Sequence, residues 1–155
     1  MKDDRPAEFL SPLRYEDLSS GEEILRLKLL WPFRYYSRIL ESEVELPVDF
    51  ICDGESVPAR LYSLVPPFGI ARKGAVAHDG LYTFGGYHEP GRAAFVHVTR
   101  AVADAVYREL LVCAGVPKWR AWIRWCALRL AGWKAWNDHR AEDGTHAGQI
   151  SLWSK

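Results

Sequence analysis

The chain has 155 residues, with 20 basic and 20 acidic side chains and no formal net charge, which excludes a nucleic-acid binder working by bulk charge. Its apolar fraction of 48% and charged fraction of 26% are those of an ordinary globular protein, and the length suggests one domain, 1–155, able to bury a core without staples. The cysteines, Cys52, Cys113 and Cys126, are too few and odd in number for a disulfide framework, and no apolar run approaches the roughly 18 residues of a membrane span.

Residues 1–9 are polar and read as loose. From 10 to 47 the pattern is strand-like. Leu25, Leu27 and Leu29 alternate with Arg26 and Lys28, which gives one buried and one wet face. Ser20-Gly21 is a turn signal after an earlier strand near Leu13–Leu18. Tyr35–Leu40 and Val44–Leu46 read as two more strands, punctuated by Pro32 and Pro47. The expectation is an antiparallel sheet of three or four strands.

The helical region is expected over 56–136. Asp53-Gly54 makes a turn, Ser56 and Pro58 suit a helix start, and a short helix is expected from Pro58 to about Leu64. Pro66-Pro67-Phe68-Gly69 breaks it. A second helix begins near Ile70 and fades at Gly85-Gly86, with a loop through Glu89-Pro90-Gly91. Over 92–114 the residues Phe95, Val98, Val102, Val106, Leu110 and Cys113 recur at helical spacing and describe a buried stripe. Gly115 and Pro117 end that helix. The next, to Trp136, carries five tryptophans among lysines and arginines and no acidic residue. Such a helix suits an anionic membrane surface or a protein hot spot. The wide spread of the tryptophans favours a core helix with its aromatic face inward and its basic face solvated. The tail, 137–155, reads as irregular. The fold class expected is therefore α+β, a small N-terminal antiparallel sheet followed by three to four helices.

One stretch carries chemistry. Ala75-Val76-Ala77-His78-Asp79-Gly80-Leu81-Tyr82 sets a histidine beside an aspartate in an apolar run. On a helix His78 and Tyr82 share a face, while Asp79 points about 100° round the axis. A histidine suits general-base work. Asp104 sits mid-helix, where an aspartate is unfavourable on propensity. Two antiparallel helices bring it to His78, where a carboxylate fixes the imidazole tautomer. The plain alternative for Asp104 is an ion pair with Arg100 or Arg108, and for Asp53 a turn aspartate bonding its own backbone. No zinc spacing, phosphate loop or Gly-x-Ser-x-Gly pattern is present.

His78-Asp79-x-x-Tyr82, followed in a later helix by Ala103-Asp104 and Tyr107, resembles the active-site layout of phospholipase A2, closest in the disulfide-free form found in parvovirus capsid proteins. The resemblance implies that His78 activates a water, that Asp104 orients His78, and that Asp79 binds calcium. The glycine-rich calcium loop of that superfamily is not recognisable before His78, where Pro66-Pro67-Phe68-Gly69 stands instead. A broader set of motifs, Asp53-x-x-Ser56-Val57-Pro58, His78-Asp79-x-Leu81-Tyr82, Ala103-Asp104, Gly115-Val116-Pro117 and the Trp-rich helix, is similar to a family of uncharacterised phage and prophage proteins. That likeness implies a phage context and adds Asp53 as a further polar member of the site and a candidate metal ligand.

Two functions follow as expectations. The first is a phage-encoded hydrolase, phospholipase A2-like, with His78, Asp104 and Tyr82 as its catalytic group, Asp79 and Asp53 for calcium, and phospholipid as substrate. The second is a non-enzymatic virion component, of tail, neck or baseplate, that contacts other virion proteins. With no apolar signal region behind Met1, the expected location is the virion or the host cytoplasm. An open cleft beside a His78–Asp104 pair favours the hydrolase, and a sealed cluster the virion component.

Overall fold

The computed structural model describes residues 4–19, 26–52, 69–92 and 94–141. Its strands are β1 (Glu8–Phe9), β2 (Tyr15–Asp17), β3 (Leu27–Leu29), β4 (Phe33–Ser37), β5 (Ser42–Leu46), β6 (Ile51–Cys52), β7 (Gly86–His88) and β8 (Phe95–His97), and its α-helices are α1 (Arg72–Phe84), α2 (Arg100–Cys113), α3 (Lys118–Ala131) and α4 (Trp133–Ala141). The class is α+β: an antiparallel N-terminal sheet region followed by four helices. The expected turn at Ser20-Gly21, the helix from Pro58 to Leu64, the Pro66-Pro67 break and Asp53 itself lie outside the described residues.

The strands form two antiparallel sheets, one in the order β1-β4-β5-β7-β8 and one in the order β2-β3-β6. Strict alternation sets the register. Leu27 and Leu29 are buried while Lys28 is half-buried, and Phe33 and Tyr35 of β4 stand opposite Leu46 and Val44 of β5. One face therefore stays apolar, as a half-buried antiparallel sheet requires. On the wetter face Glu43 takes Arg34 at 2.9 Å and Arg5 at 3.1 Å.

Helix α1 is buried on almost every side from Val76 to Phe84. It runs through the core, which joins Leu27, Leu29, Tyr35, Val44 and Leu46 of the sheets to Val76, Ala77 and Leu81 of α1 and Ala103, Val106 and Leu110 of α2. Gly80 permits this approach, since a Cβ there would lie 2.4 Å from Leu46 Cδ2. The helix ends at Gly85, whose φ of 67° is left-handed and suits glycine.

Four sequence expectations are corrected. The helix expected over 92–114 starts at Arg100, and Phe95–His97 is a strand paired with β7, itself expected to be loop. Phe95 and Val98 pack on the core from a strand and its exit rather than from the helical stripe. The β-branched and aromatic run 95–98 favours pairing, and the Thr99 hydroxyl, accepting the Val102 N–H at 3.3 Å, starts the helix after it. The buried face of α2 is consequently rotated towards Ala103, Asp104, Val106, Tyr107, Leu110 and Leu111, leaving Val102 only partly covered. The single helix expected from Pro117 to Trp136 breaks at Gly132 into α3 and α4, and α4 continues to Ala141, where an irregular tail was expected. Finally, α3 is turned the opposite way to the expected one. Ala121, Arg124 and Leu128 face inward, and Trp119, Trp122, Ile123 and Leu130 are exposed. All three cysteines are free thiols.

Candidate functional site

The α1–α2 seam gathers a polar cluster at the centre of the apolar core. His78 and Tyr82 lie one turn apart on α1 with ring centroids 4.1 Å apart, and Tyr107 of α2 stands 5.0 Å from the imidazole on α2's side. Asp104 comes from the second turn of α2 and accepts on both oxygens. His78 Nε2 is 3.1 Å from Oδ1, and the Tyr82 hydroxyl donates to that same oxygen at 2.6 Å. Arg129 of α3 donates to Oδ2 at 2.9 Å, with Arg100 at 3.7 Å. His78 is 1% exposed and Asp104 0%.

Burial penalises the Asp104 carboxylate, but the hydrogen bonds from His78 and Tyr82 and the Arg129 guanidinium outweigh it and hold the carboxyl below its ordinary range. Burial pushes the His78 imidazole down, against the opposing pull of Asp104. Burial, and then the bond to Asp104, push the Tyr82 phenol up, so it remains a donor. These directions define one protonation state. An ionised carboxylate only accepts, so the His78 proton is assigned to Nε2 and Nδ1 carries the lone pair of the ring.

Of the residues singled out from the sequence, His78, Tyr82 and Asp104 are brought together. Asp79 is buried next to His78 at 2% exposure. Asp53 lies outside the described residues. Calcium takes six to eight oxygens, and among the described residues no group of three or more metal-ligating side chains assembles. Asp79 alone does not make a calcium site, and no step is derived through the ion.

Arg129, Trp136 and Arg140 were missed. Arg129 belonged, by pattern, to a solvated basic face; nothing in its spacing pointed inward. The ion pair considered for Asp104 is present at long range with Arg100, while Arg108 instead lies over the Trp125 ring, 5.2 Å from its centroid. Trp136 packs edge-on against Tyr82 at 5.1 Å. Arg140 donates to the carbonyls of Tyr82 and Thr83 at the C-terminal end of α1, where a cation meets the negative pole of the helix. The α3–α4 corner thus closes over the cluster, and Gly132 lies so near that a Cβ there would be 2.8 Å from the Tyr82 hydroxyl.

A groove of about 800 Å³ lies away from this cluster. It lies between α2, α3 and the β4–β5 turn.

A family model described as a protein of unknown function (DUF1353) matches residues 27–128, which include α1, α2 and most of α3. No curated protein and no solved structure matches.

Proposed function

We propose, for this chain, which belongs to the DUF1353 family, that it is a phage-encoded ester hydrolase acting on phospholipid, with His78 as its general base. The observation that carries the reading is the hydrogen bond of 3.1 Å from His78 to an Asp104 carboxylate already held by Tyr82 and Arg129. That arrangement leaves Nδ1 as the basic nitrogen. In the reaction, Nδ1 takes a proton from a water molecule as its oxygen attacks the ester carbonyl, and the imidazolium returns that proton to the departing alcohol. Asp104 orients the ring and stabilises the imidazolium, as in other His–Asp pairs, and Tyr82 positions Asp104. Calcium binding rests on the resemblance alone, which implies Asp79 and Asp53 as its ligands. Titration calorimetry on the wild type and Asp79→Asn tests that part, and equal heats reject it.

The burial of His78 sets a condition. Substrate and water reach the imidazole only if the cover of the cluster moves.

The cluster is sealed rather than set beside an open cleft, with His78 1% and Asp104 0% exposed, and that favours the second reading, a non-enzymatic virion component in which the cluster locks α1, α2 and α3 together. Fatty-acid release from phospholipid vesicles by the purified protein, with calcium present, separates the two. The hydrolase releases fatty acid, and His78→Ala lowers that rate by at least about 100-fold while the variant folds. No release by the wild type over a panel of phospholipids, with earlier melting of His78→Ala, establishes the structural lock instead.

A further inference from the structure

We propose that the outward face of α3, together with the groove beside it, docks on an anionic phospholipid surface. Trp119 is 62% exposed, Trp122 55% and Leu130 80%, with Ile123 on the same side. These positions follow the helical repeat, so they form one continuous stripe rather than scattered apolar residues. Trp133, 57% exposed, stands just past its end at the start of α4. A globular helix ordinarily turns its apolar stripe inward, and a contiguous exposed patch marks a contact surface.

Charge identifies what covers it. From Leu110 to Asn137 there is no carboxylate, while Lys118, Arg120, Arg124, Arg129 and Lys134 are cationic. Arg124 is buried, Arg129 is committed to Asp104 and Lys134 is paired with Asp138 at 2.7 Å, which leaves Lys118 and Arg120 beside the exposed tryptophans. Arg120 lies over the Trp119 ring, 5.1 Å from its centroid. The adjoining groove has a volume of about 800 Å³ and apolar walls from Val112, Ile39 and both tryptophans. Arg38, Arg108 and Lys118 are the cations lining it, and its one carboxylate, Glu109, is bonded to Ser37 at 2.7 Å.

Indole rings with an apolar body and one N–H donor sit well at the headgroup boundary, and lysine and arginine nearby pair with lipid phosphate. A second copy fits less well, because a two-fold contact would set this cationic face against itself. The docking does not depend on the hydrolase reading, since it uses none of His78, Tyr82, Asp79 or Asp104.

Cosedimentation with vesicles tests it without reference to turnover. The wild type should sediment with an equal mixture of phosphatidylcholine and phosphatidylglycerol, far less with phosphatidylcholine alone, and less in high salt, with a blue shift of tryptophan emission. Trp119→Ala with Trp122→Ala should weaken binding about tenfold or more, and Lys118→Glu with Arg120→Glu should do likewise. If the tryptophan pair does not fold, the charge-reversed pair decides. Absence of binding to the mixed vesicles overturns the proposal, as does equal binding to both compositions or full binding by the substituted proteins. A wild-type dimer that the tryptophan substitutions dissociate, seen by sedimentation velocity without vesicle binding, assigns the face to self-association.

Discussion

Arg129 crosses from the tryptophan-bearing helix into the core and places its Nη1 2.9 Å from Asp104 Oδ2. This contact supplies the positive charge that a buried carboxylate needs, while burial holds the neighbouring imidazole below its ordinary range. Replacing Arg129 by Met removes that charge. The expected cost is about 2 kcal/mol, below the range for a fully sealed pair because the arginine is partly exposed. The His78 imidazole should then become easier to protonate, since Asp104 is left to it and to Tyr82. Chemical denaturation and an NMR titration of the ring read both effects. An unchanged midpoint and an unchanged titration would show that the contact contributes nothing.

The cluster sets an acid limit on stability. The folded His78 imidazole titrates below its ordinary 6.5, so as pH falls beneath 6.5 the unfolded chain takes up the proton first. Stability is complete above that value and is lost as pH falls towards the folded one. Asp104 is held below its ordinary 3.8, so its contribution is present above 3.8 and is lost below it, in the same direction. His78→Gln should flatten the fall between 6.5 and 3.8 and keep the one below. Denaturation midpoints across this range for both proteins check it, and parallel curves would place the titration elsewhere.

Gly132 is expected to tolerate no side chain. Its Cβ would lie 2.7 Å from the Leu128 carbonyl oxygen and 2.8 Å from the Tyr82 hydroxyl. Gly132→Ala must therefore move the helix corner or break the Tyr82–Asp104 bond. A loss of about 1–3 kcal/mol is expected, the usual cost of overpacking. Gly→Ala at an open helix position would instead stabilise slightly, so a melting temperature at or above that of the wild type would refute the close approach.

The rotation of α2 is testable by a pair of substitutions. Val106 is fully buried and Val102 only partly so. Val106→Asp places an unpaired charge in the core and should cost more than about 4 kcal/mol, enough to prevent folding of a marginal domain. Val102→Asp should be clearly milder, because its carboxylate can reach water. Comparable melting temperatures for the two variants would contradict the assigned face.

Local chemistry was enough for several parts of this protein. The alternation at Leu27 to Leu29 carries strand and face together, because a period of two allows only one apolar side. His78 and Tyr82 share a face through helical spacing alone, and Asp104 stood out as an aspartate within a helical pattern, although α2 begins only four residues before it. The pairing of the two helices through His78 and Asp104 followed from an antiparallel connection between them.

Other parts were decided by partners distant in the chain. Phe95-Val96-His97 satisfies both a helical stripe and a strand, and only the presence of β7 as a hydrogen-bonding neighbour selects the strand. The absence of a side chain at the Gly132 break is matched by the Tyr82 hydroxyl, fifty residues earlier, which occupies the space a Cβ would need. The orientation of α3 is the clearest case. Tryptophans and arginines lie all round that helix, so its periodicity has no preferred face; in the assembled protein Ala121, Arg124 and Leu128 face inward, Arg129 reaches the buried carboxylate of Asp104 from the flank, and Trp119 and Trp122 stay outside. Burying one charge without a partner costs more than exposing two aromatic rings, and that balance exists only once the helices are assembled.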